Sequence, residues 1–526
     1  MTTVAALLFA AALGLGLGHL LRLPSVPLII LFGVAVSAVV PLPEDLLEDA
    51  LLLGVTVVVF VAGIELNPVR VGRYRNAALV IGLLQFFLLG AAGLGAALLL
   101  GLTPQTAAYV GLALSASSTL VVVRLLQQRQ ELYSAKGRTL TGILLLQDLL
   151  IILLIPVVIG IGDGWGAVGT GVGGTLVLVA LAGVLLRWVA PRLMPSIAED
   201  EEFLLLTVLA VLFVFLGLAH LLGIPLMAGA FLAGVSVSPF PSNALVRGQV
   251  NSIGTFFSAI FFAALGAVVT LPTGEELVQA LFFAGLVLLV TPPLVALVAE
   301  RFGFSARGGI GTGLLLAQTS EFSLVVGLQG VILGQIDEGV FGIIVLVTVI
   351  SMILTPLLTT GPVTSLLLRI HPFRKPSDPR EIPQGHVLLL GCGSSGVNLL
   401  ETLVGIPHPI WVVDDDPAIV ERVIQAGFTA IRGDATDAEV LRGAGANRAR
   451  VVVSTMRRKE DSERLLAHTG QTPVVVRAYD EDDVEWIEER GGIPVSYADA
   501  AAADFLDWFL KGEADPESGP WHPSNP

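Results

Sequence analysis

The sequence predicts a polytopic α-helical membrane protein carrying a C-terminal, doubly wound α/β domain, and three observations predict it. Of 526 residues, 54% are hydrophobic and only 14% charged, with a mean hydropathy of +0.83, well outside the range of soluble globular chains. Thirteen apolar stretches between Thr3 and Arg369 are long enough, or nearly so, to cross about 30 Å of hydrocarbon. Beyond a Pro- and charge-rich segment, short Val/Leu/Ile runs alternate with helical patterns around a glycine-rich turn, the signature of a parallel sheet.

The thirteen stretches lie at roughly 3–21, 25–42, 47–64, 76–100, 105–126, 139–160, 166–189, 203–221, 224–240, 251–271, 276–299, 308–333 and 339–367. The first has no basic leader and no small-residue cleavage site, so it reads as a retained helix. With the N-terminus outside, all fourteen Lys and Arg before residue 370 fall at the cytoplasmic ends, from Arg22 to Arg369. The opposite face carries Glu44, Asp45, Glu48, Asp49, Asp163, Glu275, Glu276, Asp337 and Glu338 and no base. That asymmetry predicts a multi-pass cell (inner) membrane protein with its C-terminal domain in the cytoplasm.

Residues 16–37 and 217–238 are identical at half of 22 positions without a gap, including His19/His220, Pro24/Pro225, Gly33/Gly234 and Ser37/Ser238. The copies begin seven spans apart, so the second enters the membrane from the opposite side. Inverted repeats of this kind build secondary transporters, with the substrate site at the midplane between discontinuous helices.

The same offset of 201 relates the hydroxyl cluster Ser115, Ser117, Ser118, Thr119 to Gln318-Thr319-Ser320-Glu321. Hydroxyls can satisfy freed backbone or bond back to their own helix, and two clusters at related positions favour a pair of crossing broken helices. Asp148, with Gln147 before it, stands alone in the apolar run Leu140–Pro156. A charge at that depth costs several kcal/mol unless it faces a wet cavity or a partner, and such residues mark ion or proton paths. Asp148 is therefore the candidate ion-carrying group, with Ser117 and Thr119 as candidate ligands of a monovalent cation and Ser118 and Glu321 along the pathway. Gln147 carries no charge and can only orient or hydrate an ion, and Glu65 reads as a helix-end residue.

Residues 370–385 form a linker. After it, His386-Val-Leu-Leu-Leu390 runs into Gly391-Cys392-Gly393-Ser394-Ser395-Gly396 and then a helix, and Pro409–Val413 ends at Asp414. Strand, glycines and helix stand in the order of a dinucleotide fingerprint, with Asp414 placed for ribose hydroxyls and Asp416 close by. Runs at 429–431, 451–453 and 474–477 continue the sheet, and Gly433-Asp434 follows the third strand. Residues 386–510 read as the nucleotide-binding domain and 511–526 as a flexible tail. The single cysteine, Cys392, excludes an intrachain disulfide. A net charge of −15, concentrated after residue 369, argues against a nucleic-acid partner.

The membrane motifs Phe60-Val-Ala-Gly63-Ile-Glu65-Leu-Asn67-Pro68, Ala113–Thr119, Leu145-Leu-Gln147-Asp148, Gly229–Gly234, Gly313–Gln318 with Glu321-Phe322, and Ser351–Pro356, taken in this order, resemble the second cation:proton antiporter superfamily, in its Kef-type potassium efflux branch. Arg432-Gly433-Asp434-Ala435-Thr436-Asp437 with Leu441 and Ala444-Gly445 is similar to the N-terminal half of the regulator-of-potassium-conductance (RCK, TrkA-N) domain. The resemblance implies a homodimer in which a core domain holding Asp148 moves against a dimerisation domain. It implies K⁺ as the cation and NAD(H), AMP or another adenine nucleotide as a regulatory ligand. Glutathione gating occurs in that branch, although the linker here lacks its acidic motif. Many relatives carry a base in the span matching 276–299, where this chain has Leu-Val-Thr291-Pro292-Pro293.

The resulting expectation is a nucleotide-regulated monovalent cation/proton antiporter of residues 1–369, not an enzyme. The alternatives are a Na⁺/H⁺ antiporter, a cation channel gated by the same sensor, and a membrane-anchored NAD-dependent oxidoreductase. The repeat and the intramembrane acid weigh against a channel.

Overall fold

The computed structural model describes residues 2–496 apart from 22, 41, 66–74, 130, 133, 163, 190–191, 193–200, 239–242, 271, 371–383, 404, 437 and 457–458. Most of the linker, the tail, Asn67-Pro68, Asp437, Arg457 and Arg458 thus lie outside the described residues. The chain divides into two compact units: Met1–Ala299 with Ile310–Leu367, and Glu300–Gly309 with Leu368–Pro526.

Helices are the regular structure of the first unit among its described residues. In chain order the described α-helices up to residue 370 are α1 (Thr2–Leu21), α2 (Ser25–Ser37), α3 (Glu44–Glu65), α4 (Arg75–Leu99), α5 (Pro104–Ser115), α6 (Thr119–Gln128), α7 (Ala135–Gly160), α8 (Trp165–Val184, followed by a π-helical turn at Leu185–Val189), α9 (Glu201–Leu221), α10 (Leu226–Val237), α11 (Asn243–Val268), α12 (Gly274–Arg301), α13 (Ala306–Leu316), α14 (Glu321–Ile332), α15 (Glu338–Leu358) and α16 (Gly361–Ile370); the end of α12, the start of α13 and the end of α16 group with the second unit. Among the described residues, ten helical segments are long and apolar enough to cross a membrane, two of them the broken pairs α5–α6 and α13–α14. Three further stretches fall in shorter apolar helices, Ser25–Ser37, Leu226–Val237 and Ile253–Val268. The last predicted stretch, 339–367, divides into α15 and α16, because Gly361-Pro362 restarts the helix after Thr359-Thr360; Pro is well tolerated only in a helix's first turn.

The internal repeat is visible in packing as well as in sequence. Gly33 on α2 lies so close to α11 that a Cβ would fall on the Ala263 carbonyl oxygen, and Gly266 on α11 meets the Ile30 carbonyl in the same way. Gly234 on α10, the repeat mate of Gly33, lies equally close to the Phe60 carbonyl of α3, and Gly63 to the Phe231 carbonyl. Each copy's second short helix thus packs on the long helix that follows the other copy's. Lipid tails are as apolar as leucine, so helices in a bilayer gain contact energy by close approach, which small residues permit.

The second unit carries a six-stranded parallel sheet in the order β3-β2-β1-β4-β5-β6, with β1 (Val387–Leu390), β2 (Ile410–Asp414), β3 (Thr429–Arg432), β4 (Val451–Ser454), β5 (Val474–Ala478) and β6 (Ile493–Ser496). β1 and β2 are buried along their whole length, as a sheet covered on both faces requires. Leu388 and Leu390 pack into one hydrophobic cluster and Val387 and Leu389 into the other. The sixth strand escapes the sequence reading. It is a half-exposed edge of four residues containing Pro494, which leaves neither a continuous apolar run nor a full set of donors.

Replacing Gly234 by Leu is expected to destabilise the detergent-purified protein by about 1–3 kcal/mol or more, the range for overpacking, read as a lowered thermal midpoint. Gly217→Ala, where a Cβ meets nothing within 4 Å, is the neutral control.

Candidate functional site

The site in the first unit is built from two interruptions. α5 starts on a Thr103 cap with Pro104 in its first turn and stops at Ser115, because Ala116 takes extended angles (φ −111°, ψ 152°). Ser118 is again extended and caps α6, its hydroxyl accepting from Val121 N at 3.3 Å. α13 stops at Leu316, 201 positions after Ser115. Ser320 then caps α14 by accepting from Phe322 N at 3.1 Å.

The hydroxyls of the first cluster have separate duties. Ser115 Oγ bonds back to Leu112 O (2.7 Å), the ordinary local bond of a helical serine. Ser117 Oγ instead donates to Leu316 O, the last residue of α13, at 2.7 Å. Ser323 of α14 returns the contact by donating to Ala113 O. The two breaks are therefore tied to each other in both directions.

Asp148 lies on α7 and is 3% exposed; its Oδ2 accepts from Thr119 Oγ1 at 2.9 Å. Thr119 opens α6, so the carboxylate sits beside the N-terminal end of a half-helix, where backbone N–H groups favour negative charge. Gln147, fully buried, turns its Oε1 to Ser117 N (3.0 Å) and donates through Nε2 to Gln85 Oε1 on α4. Gln85 Nε2 in turn donates to Ser115 O at 3.4 Å. Glu321 is the first residue of α14 and 4% exposed, again at a helix N-terminus that suits a carboxylate. The side chain of Glu65 lies outside the described residues.

The second break is held by α15 in a parallel way but without charge. Thr319 N donates to Ser351 Oγ (3.1 Å), and Thr319 Oγ1 donates to Thr348 Oγ1 (3.0 Å). Thr355 Oγ1 reaches Ala317 O at 3.4 Å. Hydroxyls thus occupy the places that Gln147 and Asp148 take at the first break.

In the second unit the glycine turn lies at the carboxyl end of β1, between β2 and β4, where the strand order reverses and α/β sheets bind ligands. Gly391 has φ +80°, a conformation that L side chains rarely adopt. A Cβ on Gly396 would fall on the Gly391 carbonyl oxygen, whereas one on Gly393 meets nothing within 4 Å. The turn leads into the helix α17 (Ser394–Leu403); the side chains of Ser394 and Ser395 lie outside the described residues. Asp414 Oδ2 accepts from Cys392 N (2.5 Å) and Oδ1 from Asp416 N (2.8 Å). Each oxygen retains a second lone pair for a hydroxyl donor. Burial raises the Asp414 carboxyl above the usual range and those two N–H bonds pull it partly back. Asp416 caps the following helix through Ala418 N at 2.8 Å. Gly433 N bonds Asp414 O (3.0 Å). Asp434 folds its own turn through Thr436 N (2.8 Å) and lies 3.5 Å from Arg307 Nε, of the 300–309 segment that groups with this unit. The candidate residues of this unit are thus gathered at the carboxyl ends of β1, β2 and β3.

Sequence reasoning missed four participants. Gln85 is a lone amide in an aliphatic helix, a signal that the sequence does carry. Thr348 and Ser351 are ordinary helix residues until the fold sets them against Thr319. Thr455, which follows β4 and donates through Oγ1 to Gly391 O (2.9 Å), has no local signature.

A buried carboxylate where two discontinuous helices meet is the construction of a secondary ion transporter. The chain belongs to the sodium/hydrogen exchanger family, whose transmembrane model matches residues 5–364, and a TrkA-N domain matches residues 387–495. It is 28% identical over 515 residues to the glutathione-regulated potassium-efflux system protein KefC of Cronobacter sakazakii, covering 93% of this chain and 80% of the relative. To the protein of the same name from Salmonella schwarzengrund it is 27% identical over 459 residues, covering 84% and 73%. Among solved structures, the TrkA-N domain of the inner membrane protein ybaL from Escherichia coli is 25% identical, covers 24% of this chain and 96% of that one, and gives a TM-score of 0.23.

Burial, reinforced by the Asp414 carboxylate, pushes the Cys392 thiol up to about 11 from 9.0. At pH 8 the thiolate fraction should be about 100-fold below that of an unshifted thiol. Iodoacetamide labelling of the native protein is expected to be slower than that of urea-unfolded chain by at least that factor. The same shift makes a contribution to stability that is complete below pH 9 and lost as the pH rises through 11.

Proposed function

We propose that the chain is a K⁺/H⁺ antiporter of the inner membrane that works by alternating access and is regulated by an adenine nucleotide, NAD(H) or AMP, on its cytoplasmic C-terminal domain. The observation that carries this is Asp148, one buried carboxylate beside two helix breaks tied to each other. Family membership supports exchange, and the potassium-efflux names of the relatives support K⁺. The basic residues support an N-terminus outside and a C-terminal domain inside.

In this reading Asp148 holds either H⁺ or a dehydrated cation, with Ser117 and Thr119 supplying oxygens and Ser118 and Glu321 lining the path. Protonated or cation-loaded, the site is neutral and crosses. Empty, it bears a charge whose transfer costs about 3 kcal/mol on insertion scales, a factor of about 100 in rate. That penalty couples the two fluxes without any further gate. One carboxylate exchanging one monovalent cation for one proton is electroneutral, and the span 276–299, in which many relatives have a base, has neither Lys nor Arg here. The protein acts as a homodimer. Gly391, Gly393, Ser394, Ser395 and Gly396 cradle the nucleotide's phosphates at the start of α17, Asp414 takes the ribose, and Asp416, Gly433 and Asp434 complete the rim.

In proteoliposomes under a potassium-independent voltage clamp, external K⁺ is expected to drive proton movement. Asp148→Asn should reduce that flux about 100-fold, to background, and the ranking among K⁺, Na⁺ and Li⁺ fixes selectivity. Cation flux without proton flux would overturn antiport. Gly396→Ala, which pushes a methyl into the Gly391 carbonyl, is expected to weaken adenine nucleotide binding to the full-length protein at least about 10-fold by calorimetry.

A further inference from the structure

We infer that Gln85 is a positioning residue of the ion site: with Gln147 it forms a two-amide bridge across the first helix break, and through that bridge it sets cation affinity. It rests on the antiport reading above but concerns a residue that touches neither the ion nor Asp148.

The argument begins with what the break leaves unpaired. An uninterrupted α5–α6 would bond the N–H groups after Ser115 to carbonyls four residues earlier. The extended backbone at Ala116–Ser118 prevents that, and in an apolar, water-poor interior each bare group costs several kcal/mol. Gln147 Oε1 takes the Ser117 N–H, Gln147 Nε2 donates to Gln85 Oε1, and Gln85 Nε2 donates to Ser115 O. Two primary amides thus run head to tail from the Ser117 N–H to the Ser115 carbonyl and join a donor and an acceptor of the interrupted helix. Bonds aligned in series polarise one another.

Gln85 is well suited to nothing else. After Arg75 and Asn76 at the start of α4 it is the one polar side chain of that helix, and it is 1% exposed. A buried amide in a membrane helix persists only where partners compensate it. Without it, Gln147 Nε2 and Ser115 O both lose a partner, and the Gln147 amide is free to rotate. Its rotation would release Ser117 N, one residue from the Ser118 cap and two from Thr119, which bonds Asp148. Gln85 therefore acts on the ion through backbone geometry, whereas Asp148 acts through charge.

The test is a mutant cycle on full-length protein, with cation affinity read from K⁺-dependent thermal stabilisation in detergent and from the half-saturating K⁺ concentration for proton flux in proteoliposomes. Gln85→Met and Gln147→Met are each expected to weaken apparent K⁺ affinity about 10-fold. The double variant should also weaken it about 10-fold, not 100-fold, because both substitutions break one bridge. Gln85→Asn, too short to span both partners, should weaken it about 3-fold and serves if the Met variant does not fold. A Gln85 variant that lowers the melting temperature without moving K⁺ affinity would reduce the residue to a packing role and overturn the inference. Additive losses would overturn it too, since Gln85 would then act independently of Gln147. Wild type that neither binds K⁺ nor exchanges protons would sink the antiport reading first and this inference with it.

Discussion

An interrupted helix in an apolar interior exposes backbone groups that water cannot reach, and the first unit is arranged around satisfying them. Two such interruptions, after Ser115 and after Leu316, are served by caps from Ser118 and Ser320, by crossed bonds from Ser117 and Ser323, and by side chains on the helix after each pair. Each group left bare would cost several kcal/mol, comparable with a sizeable share of a domain's net stability. The partners are therefore as necessary to the fold as to any ion. A site assembled from them is rigid because moving one strands another.

The duplication that produced two interruptions did not leave them equivalent. At the first, α7 offers an amide and a carboxylate; at the second, α15 offers Ser351 and Thr348. Both sets hold the backbone, but only the first can change its charge. At the second break the ionisable group is instead Glu321, carried by α14 itself and not by the helix that follows the pair. The glycine contacts between α2 and α11 and between α10 and α3 show the same frame where no chemistry intervenes, and there the two halves have stayed alike.

The second unit solves a related problem at the carboxyl end of a central strand. The glycine turn needs Gly391 because of its positive φ and Gly396 because of a carbonyl in the way. Asp414 holds that turn through Cys392 N while keeping lone pairs available. A residue expected to meet a ribose thus also fixes the loop that would meet the phosphates, which links the two halves of nucleotide recognition in one carboxylate.

Much of this was legible in the chain. Hydrophobic length marks the spans, because a bilayer admits only apolar helices of sufficient reach. The offset of 201 marks the repeat and both breaks, Asp148 stands out by its cost, and the glycine spacing marks the nucleotide fold. What the sequence could not decide is who pairs with whom. Ser115 and Ser117 are alike in sequence, yet one bonds its own helix and the other the opposite break. Gln85, Thr348, Ser351 and Thr455 gain their meaning only from partners 29 to 64 positions away. Patterning along the chain reports burial and local geometry, which are properties of a segment. Hydrogen-bond satisfaction in a closed interior is a property of the assembled set, and only the tertiary structure assigns it.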